Sequence, residues 1–179
     1  RRKAAPARGG RSLWQRHPAR AGGGSHRDCE RPFVLRTGRA GLLRAAPDRR
    51  RLVLVPARFP AELRIGDGSL SGVLAAQVLH FLSGPDVELA FQNVFRWLEP
   101  GGIFFVLVMT PSLSYYRKLR PAYEERVARG ERWPGIFDPR TVATPDWRDR
   151  LPSMVHLFEK DTLARCATEA GFTIETLEY

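Results

Sequence analysis

The chain has 179 residues, of which 43% are hydrophobic and 10% aromatic, which is enough for one domain of ordinary size with its own core. Its net charge is +10, but residues 1–51 carry 15 basic and 3 acidic side chains, a net of +12, whereas residues 52–179 carry 14 basic and 16 acidic side chains, a net of −2. This distribution excludes a uniformly basic globular surface, of the kind that binds polyanions, as the source of function.

The segment 1–37 mixes Arg, Ala, Gly and Pro without helical or strand periodicity, and such a composition predicts a disordered basic leader. Trp14 and His17 are available for stacking on bases, so non-specific nucleic-acid binding through the leader is one interpretation. A translated GC-rich flank is the interpretation that we favour. The first residue is Arg and not Met, so we expect a trimmed or partial sequence.

The region after residue 37 contains the first patterns that indicate regular structure. Residues 42–46 predict a short helix that Pro47 ends, and the apolar residues 52–55 predict a buried strand. A turn rich in Gly and Asp follows at residues 65–69, and residues 73–76 predict a second short strand. Its lack of polar alternation is typical of a parallel sheet.

The strongest helix signal begins after Gly84. Pro85 suits a first helical position, and apolar side chains recur at helical spacing as far as Leu98. Pro100 should end this helix, and the apolar residues 103–109 predict the clearest strand of the chain.

Residues 111–157 predict a long irregular insertion rich in aromatic side chains, which is typical of functional or poorly ordered segments. Residues 163–170 predict a helix that Gly171 caps, and residues 172–177 alternate like a strand. Because strands alternate with helices, we predict an α/β, doubly wound, parallel sheet in residues 38–179.

Three segments resemble the class I S-adenosylmethionine-dependent methyltransferases. They are the run SLSGVLAAQVLHFL at residues 69–82, the turn WLEPGG at residues 97–102 with its following strand, and EAGF at residues 169–172. In that family they correspond to the fourth strand, the turn into the fifth strand and the junction with the sixth. The resemblance covers residues 38–179. It implies a Rossmann-like fold, S-adenosylmethionine as cofactor, and methyl transfer to an O, N or C atom of a small-molecule acceptor.

The same resemblance shows what the sequence lacks. The family binds its cofactor with a Gly-rich turn after the first strand and an acidic residue at the end of the second, and neither is evident here. Gly22–Gly24 follow no apolar strand, and Ser71 stands where the family often has an acidic residue. We therefore expect an incomplete sheet without its first two strands, and the fragment's activity stays an open question.

The resemblance also implies which residues form the site. Residues after the strands meet at one edge of a parallel sheet. For the cofactor it implies Phe59, which is equally compatible with packing on the domain, together with Ala76 and Gln77. For catalysis it implies His80, although a lone His beside Leu79 and Phe81 is also typical of a buried helix residue. For the acceptor it implies Thr110, Tyr115 and Tyr116, with a lid packed on the core as the alternative for this insertion.

Several other classes of site are not supported by the residues. His17, His26, His80 and His156 are widely separated and the two cysteines have no ligand spacing, so we expect no metal site. No segment resembles a signal peptide or is apolar enough to span a bilayer, so we expect a cytoplasmic protein without a membrane partner.

Two alternatives to the methyltransferase interpretation stay open. One is a non-catalytic remnant or interaction module with a basic tail, and the other is a different Rossmann-like nucleotide-binding protein such as a dehydrogenase. The residues do not specify the acceptor, the methylated atom or the oligomeric state.

Overall fold

The computed structural model describes residues 10–15, 33–34 and 52–179. Its strands are β1 (Gly10–Gln15), β2 (Phe33–Val34), β3 (Leu52–Val53), β4 (Leu70–Ala76), β5 (Leu98–Val108), β6 (Ile136–Phe137), β7 (Val155–His156) and β8 (Thr173–Leu177). Its α-helices are α1 (Gly84–Trp97), α2 (Arg120–Ala128), α3 (Pro145–Arg148) and α4 (Lys160–Ala170). Three 3₁₀ turns lie at Leu79–Phe81, Ser114–Leu119 and Pro139–Thr141.

The main sheet has four strands in the order β4-β5-β1-β8. β4 and β5 are parallel, as the alternation of strands and helices predicts, with Val73 opposite Phe104. β1, which precedes the range of the predicted parallel sheet, is antiparallel to both of its neighbours, so the main sheet is mixed. Two further pairs, β2 with β3 and β6 with β7, form separate small sheets.

β1 and β2 lie within residues 1–37, which the composition predicts to be a disordered leader, and that assignment stays a prediction. Sheet edges offer unpaired backbone N–H and C=O groups, and an extended segment can pair with them whatever its side-chain pattern. β1 pairs with β5 from Gly10 opposite Val108 to Gln15 opposite Ile103. The predicted helix at residues 42–46 and the Gly22–Gly24 linker lie outside the described residues.

Helix α1 confirms the predicted helix and begins at an N-cap that was not predicted. The Ser83 hydroxyl accepts a hydrogen bond from the Asp86 N–H at 3.3 Å and donates one to the Asp86 carboxylate at 2.7 Å, which satisfies a donor at the helix start. The helix ends at Trp97 rather than at Pro100, because Leu98 already belongs to β5. Its buried face consists of Val87, Ala90, Phe91, Val94 and Trp97.

The core of the main sheet is an aromatic cluster between β5 and the helices. The ring centroid of Phe104 in β5 lies 5.3 Å from that of Phe91 and 5.6 Å from that of Phe172. The ring centroids of Phe95 and Phe172 are 5.1 Å apart. Gly171 ends α4 at φ 96°, a left-handed conformation that favours glycine. The predicted cap and the predicted strand after it are therefore both confirmed.

The insertion at residues 111–157 is more regular than predicted, because it contains α2, α3, β6, β7 and two of the 3₁₀ turns. It has a core of its own, formed by Tyr116, Leu119, Tyr123, Phe137, Val155 and Leu157. Arg132 joins this segment to the helices, since its guanidinium contacts Glu88 of α1 and Glu169 of α4, each at 2.7 Å. Among the helices that the structure describes, none is both long enough and apolar enough to cross a membrane.

The backbone just before β6 passes so close to the backbone just after β7 that it requires a glycine, and this gives a first prediction. Gly135 is buried, and a Cβ at this position would overlap the Leu157 carbonyl oxygen of the opposing backbone. We expect Gly135→Ala to lower the free energy of unfolding in urea by about 2 kcal/mol. Gly66→Ala is the control, because its Cβ would come no closer than 3.7 Å to Ser69. Equal stability of the two variants would contradict the close approach.

Candidate functional site

The candidate site begins where β4 and β5 end side by side. The Gln77 N–H donates a hydrogen bond to the Leu107 carbonyl at 2.9 Å, which places Ala76 and Gln77 beside the end of β5, as predicted. Both residues are exposed. Gln77 has φ 56° and is the only residue other than glycine with a positive φ in the described part of the chain. Strained backbone of this sort concentrates at functional sites.

Thr110 lies at the same edge but is engaged with other residues of the protein. It is 4% exposed, and its hydroxyl donates to a Glu159 carboxylate oxygen at 2.8 Å. The Ser112 hydroxyl donates to the same oxygen at 2.9 Å, and the Tyr179 hydroxyl is bonded to the other carboxylate oxygen. Burial and this bond raise the pKa of Tyr179 to about 12. Glu159 precedes the first residue of α4, and no sequence pattern indicated it. Through these hydrogen bonds it links the start of α4 to the segment after β5 and to Tyr179.

The two tyrosines predicted for the acceptor occupy different environments. Tyr116 is buried, and its hydroxyl lies 3.8 Å from the Met109 sulfur. Tyr115 is 56% exposed, and its ring packs edge-on against Tyr116 with centroids 5.0 Å apart. The structure therefore leaves Tyr115 accessible to a ligand and makes Tyr116 part of the insertion's core.

Tyr115 lines a cleft of about 600 Å³ within the insertion. One wall comes from the turn after β5 and contains Ser114, Arg117 and Lys118. The opposite wall comes from the segment around α3 and contains Val142, Ala143, Thr144, Trp147 and Leu151. The sequence signals that could have indicated it are the pair Arg117-Lys118 directly after two tyrosines and an isolated Trp147, but their proximity is a tertiary property.

His80, the predicted catalytic residue, is 3% exposed. Its ring centroid lies 4.2 Å from that of Phe81, and its Nδ1 has no hydrogen-bond partner. Burial lowers the pKa of His80, so the imidazole is neutral at pH 7. This placement is that of a packed side chain, and the catalytic role of His80 stays a prediction.

His156 is a second buried histidine. Its ring stacks on Phe158 with centroids 4.1 Å apart and meets Trp133 edge-on at 5.1 Å, and its Nδ1 lies 3.2 Å from the Leu82 carbonyl oxygen. Burial lowers the pKa of His156 to about 4, although the backbone hydrogen bond opposes this shift. His156 therefore packs β7 of the insertion against the segment that follows β4.

Phe59 also contacts the core. It is partly buried in the main core, and its ring lies 6.4 Å from that of the fully buried Trp97. Packing on the domain, one of the two interpretations of this side chain, thus accounts for its position, and stacking on adenine stays a prediction. Among the described residues, no three His, Cys, Asp or Glu side chains converge in a way that would hold a metal ion.

The structure thus brings together Ala76, Gln77 and Thr110 at one sheet edge, with Tyr115 in the segment that follows. A family model described as a methyltransferase domain matches residues 22–177. The chain belongs to this methyltransferase domain family. The matched region includes β4, β5 and β8 with both core helices, and it begins inside the predicted leader 1–37, whose boundary stays a prediction.

One solved structure similar to this methyltransferase domain is a SAM-dependent methyltransferase from Methanosarcina mazei. The sequences are 19% identical, the TM-score is 0.48, and the alignment covers 67% of this chain and 53% of the other. This chain therefore spans about half the length of that protein. No curated protein matches the chain.

The two buried histidines predict a pH dependence of stability. Because the pKa of His156 is about 4 in the folded protein and 6.5 for an unperturbed histidine, the unfolded state takes up a proton first as the pH falls. The contribution of His156 to the free energy of unfolding is therefore retained above pH 6.5 and lost progressively toward pH 4. By pH 5 the loss is about 2 kcal/mol.

Chemical unfolding at several pH values would measure this loss. The variant His156→Gln cannot be protonated at this position, so the slope between pH 6.5 and 4 should become shallower. A slope as steep as that of the wild type would show that His156 does not cause the dependence.

The left-handed conformation of Gln77 gives a third prediction. Glycine adopts φ 56° without steric cost, whereas a β-branched residue does not. We expect Gln77→Gly to match or exceed the wild-type stability by up to about 1 kcal/mol, and Gln77→Val to lose about 1–2 kcal/mol. Thermal unfolding of the glycine and valine variants measures which of the two is more stable. A valine variant as stable as the glycine variant would contradict the left-handed conformation at residue 77.

Proposed function

We propose that this methyltransferase domain transfers a methyl group from S-adenosylmethionine to a small-molecule acceptor at the carboxyl edge of β4 and β5. The observation that carries the proposal is Gln77, which lies exposed and in a left-handed conformation where β4 ends against Leu107. In a chain of this family, that edge is the expected place for the cofactor.

The described residues fit one side of such a cofactor. The end of β4 is open to solvent at Ala76 and Gln77, and the Gln77 side-chain amide offers both donors and an acceptor. These two residues would hold the cofactor from the sheet side. A bound cofactor would supply a methyl carbon on a sulfonium: an acceptor atom would form its bond to this carbon in line as the carbon–sulfur bond breaks, and S-adenosylhomocysteine would leave.

In this proposal the side chains of the protein mainly orient the reacting molecules. In-line displacement at an activated carbon needs orientation and exclusion of water. Glu159 holds the hydroxyl groups of Thr110 and Ser112, so the backbone between β5 and the insertion keeps a fixed conformation. This contact orients the segment that carries Tyr115 relative to the end of β5.

Binding of S-adenosylhomocysteine measured by calorimetry tests the proposal. We expect binding to the wild-type chain and a loss of about three- to tenfold in affinity for Gln77→Gly, since one hydrogen-bonding side chain is removed while the backbone conformation is retained. Gln92→Ala, at an exposed position of α1, is the control and should bind like the wild type.

Two binding results would count against this proposal. No binding by the wild-type chain, and none by a chain carrying additional upstream coding sequence, would contradict the proposal and favour the non-catalytic alternative. Equal affinity of Gln77→Gly and wild type would remove Gln77 from the cofactor site.

A further inference from the structure

The cleft beside Tyr115 has the size and lining of a small-molecule site. Its volume is about 600 Å³, which falls in the range of ligand pockets. Tyr115 and Trp147 are each 56% exposed although both are large aromatic side chains. Together with Val142 and Leu151 they offer apolar surface that a planar or apolar molecule would bury.

The charged side chains that line the cleft are both basic. Arg117 and Lys118 line it, and among the described residues neither forms a hydrogen bond or an ion pair with a carboxylate. Arg150 lies over the Trp147 ring, 5.5 Å from its centroid. The lining residues include no carboxylate, and Asp146, although it lies on α3 beside Trp147, is not among them.

Several other arginines of the insertion form ion pairs within the protein. Arg120 pairs with Glu124 at 2.8 Å, and Arg129 pairs with Glu125 at 2.6 Å and with Glu131 at 2.7 Å. Arg132 and Arg140 likewise contact carboxylates. The charges of Arg117 and Lys118, unlike those of these four arginines, are therefore available to a ligand.

The cleft is also close to the proposed cofactor edge. Two consecutive hydrogen-bonded turns connect them, from the Leu113 N–H to the Thr110 carbonyl and from the Tyr116 N–H to the Leu113 carbonyl. Each turn keeps its end Cα atoms within about 7 Å. The backbone of Tyr116 therefore lies within about 14 Å of Thr110, and a ligand of ordinary size in the cleft can extend toward the edge.

We propose that this cleft binds the methyl acceptor and that the acceptor is an apolar or aromatic molecule carrying an anionic group. Tyr115 and Trp147 contact the apolar part, and Arg117 and Lys118 bind the anion by charge-assisted hydrogen bonds. This inference rests on the proposed function for the role of the ligand, whereas the preference for an anion rests on the cleft alone.

Matched aromatic probes test the preference. Naphthoate, naphthyl phosphate and the neutral naphthalenemethanol are titrated into the full chain by calorimetry. We expect at least one of the two anions to bind about tenfold more tightly than the alcohol. In the double variant Arg117→Gln/Lys118→Gln this preference should disappear, and Trp147→Ala should weaken all three probes. Arg129→Gln, which removes an ion-paired cation, is the control and should keep the wild-type preference.

The possible failures are distinguishable. If the alcohol binds as tightly as both anions, or if Arg129→Gln loses the preference as fully as the double variant, the inference is wrong. Binding of S-adenosylhomocysteine to the wild type without binding of any probe would overturn the inference and leave the proposed function standing. Anion binding in the cleft without binding of S-adenosylhomocysteine, either to this chain or to the upstream-extended chain, would overturn the proposed function and leave the anion preference of the cleft standing. Circular dichroism melting of each variant excludes loss of folding as the cause.

Discussion

The burial of one face of β5 is the constraint on which the site depends. Phe104, Val106 and Val108 point into the core, and Phe104 is fixed between Phe91 of α1 and Phe172 after α4. A shift of one residue would turn this whole face toward solvent, so the register of β5 against β4 is strongly determined. The strand therefore ends at a defined point, and both the Gln77 turn and the segment beginning at Thr110 take their positions from it.

The insertion depends on the same core through a few contacts. Its ion pairs from Arg132 are exposed, and exposed pairs contribute little each. Packing contributes more, because Trp133 lies between the guanidinium of Arg165, at 4.6 Å, and the ring of His156, at 5.1 Å. His156 is in turn bonded to the Leu82 carbonyl, just before α1. The cleft is thus built by the insertion's own residues, but its orientation is set by the helix that packs on β5.

Sequence patterns predicted those helices and strands that are determined by residues within the same element. The apolar spacing of α1, the glycine cap at Gly171 and the apolar run of β5 each act within one element, and the structure has all three. β1 was not predictable in this way, because a strand that pairs through its backbone leaves little trace in the side-chain sequence. The cleft was missed for a related reason: Lys118 and Trp147 are far apart in the sequence, and only the folding of the insertion brings them together.

The same distinction separates the predicted site residues by where the structure places them. Ala76 and Gln77 were predicted from the end of a strand, and the structure exposes them there. His80 was singled out for its chemistry, yet burial and not reactivity explains its position. Burial lowers the pKa of both buried histidines, His80 and His156, and raises the pKa of the Cys166 thiol to about 11, so the thiol stays protonated. The role of His80 as a base stays a prediction. An acceptor atom that carries no proton at neutral pH would need no base, and the cations beside Tyr115 would hold a separate anionic group of the same molecule.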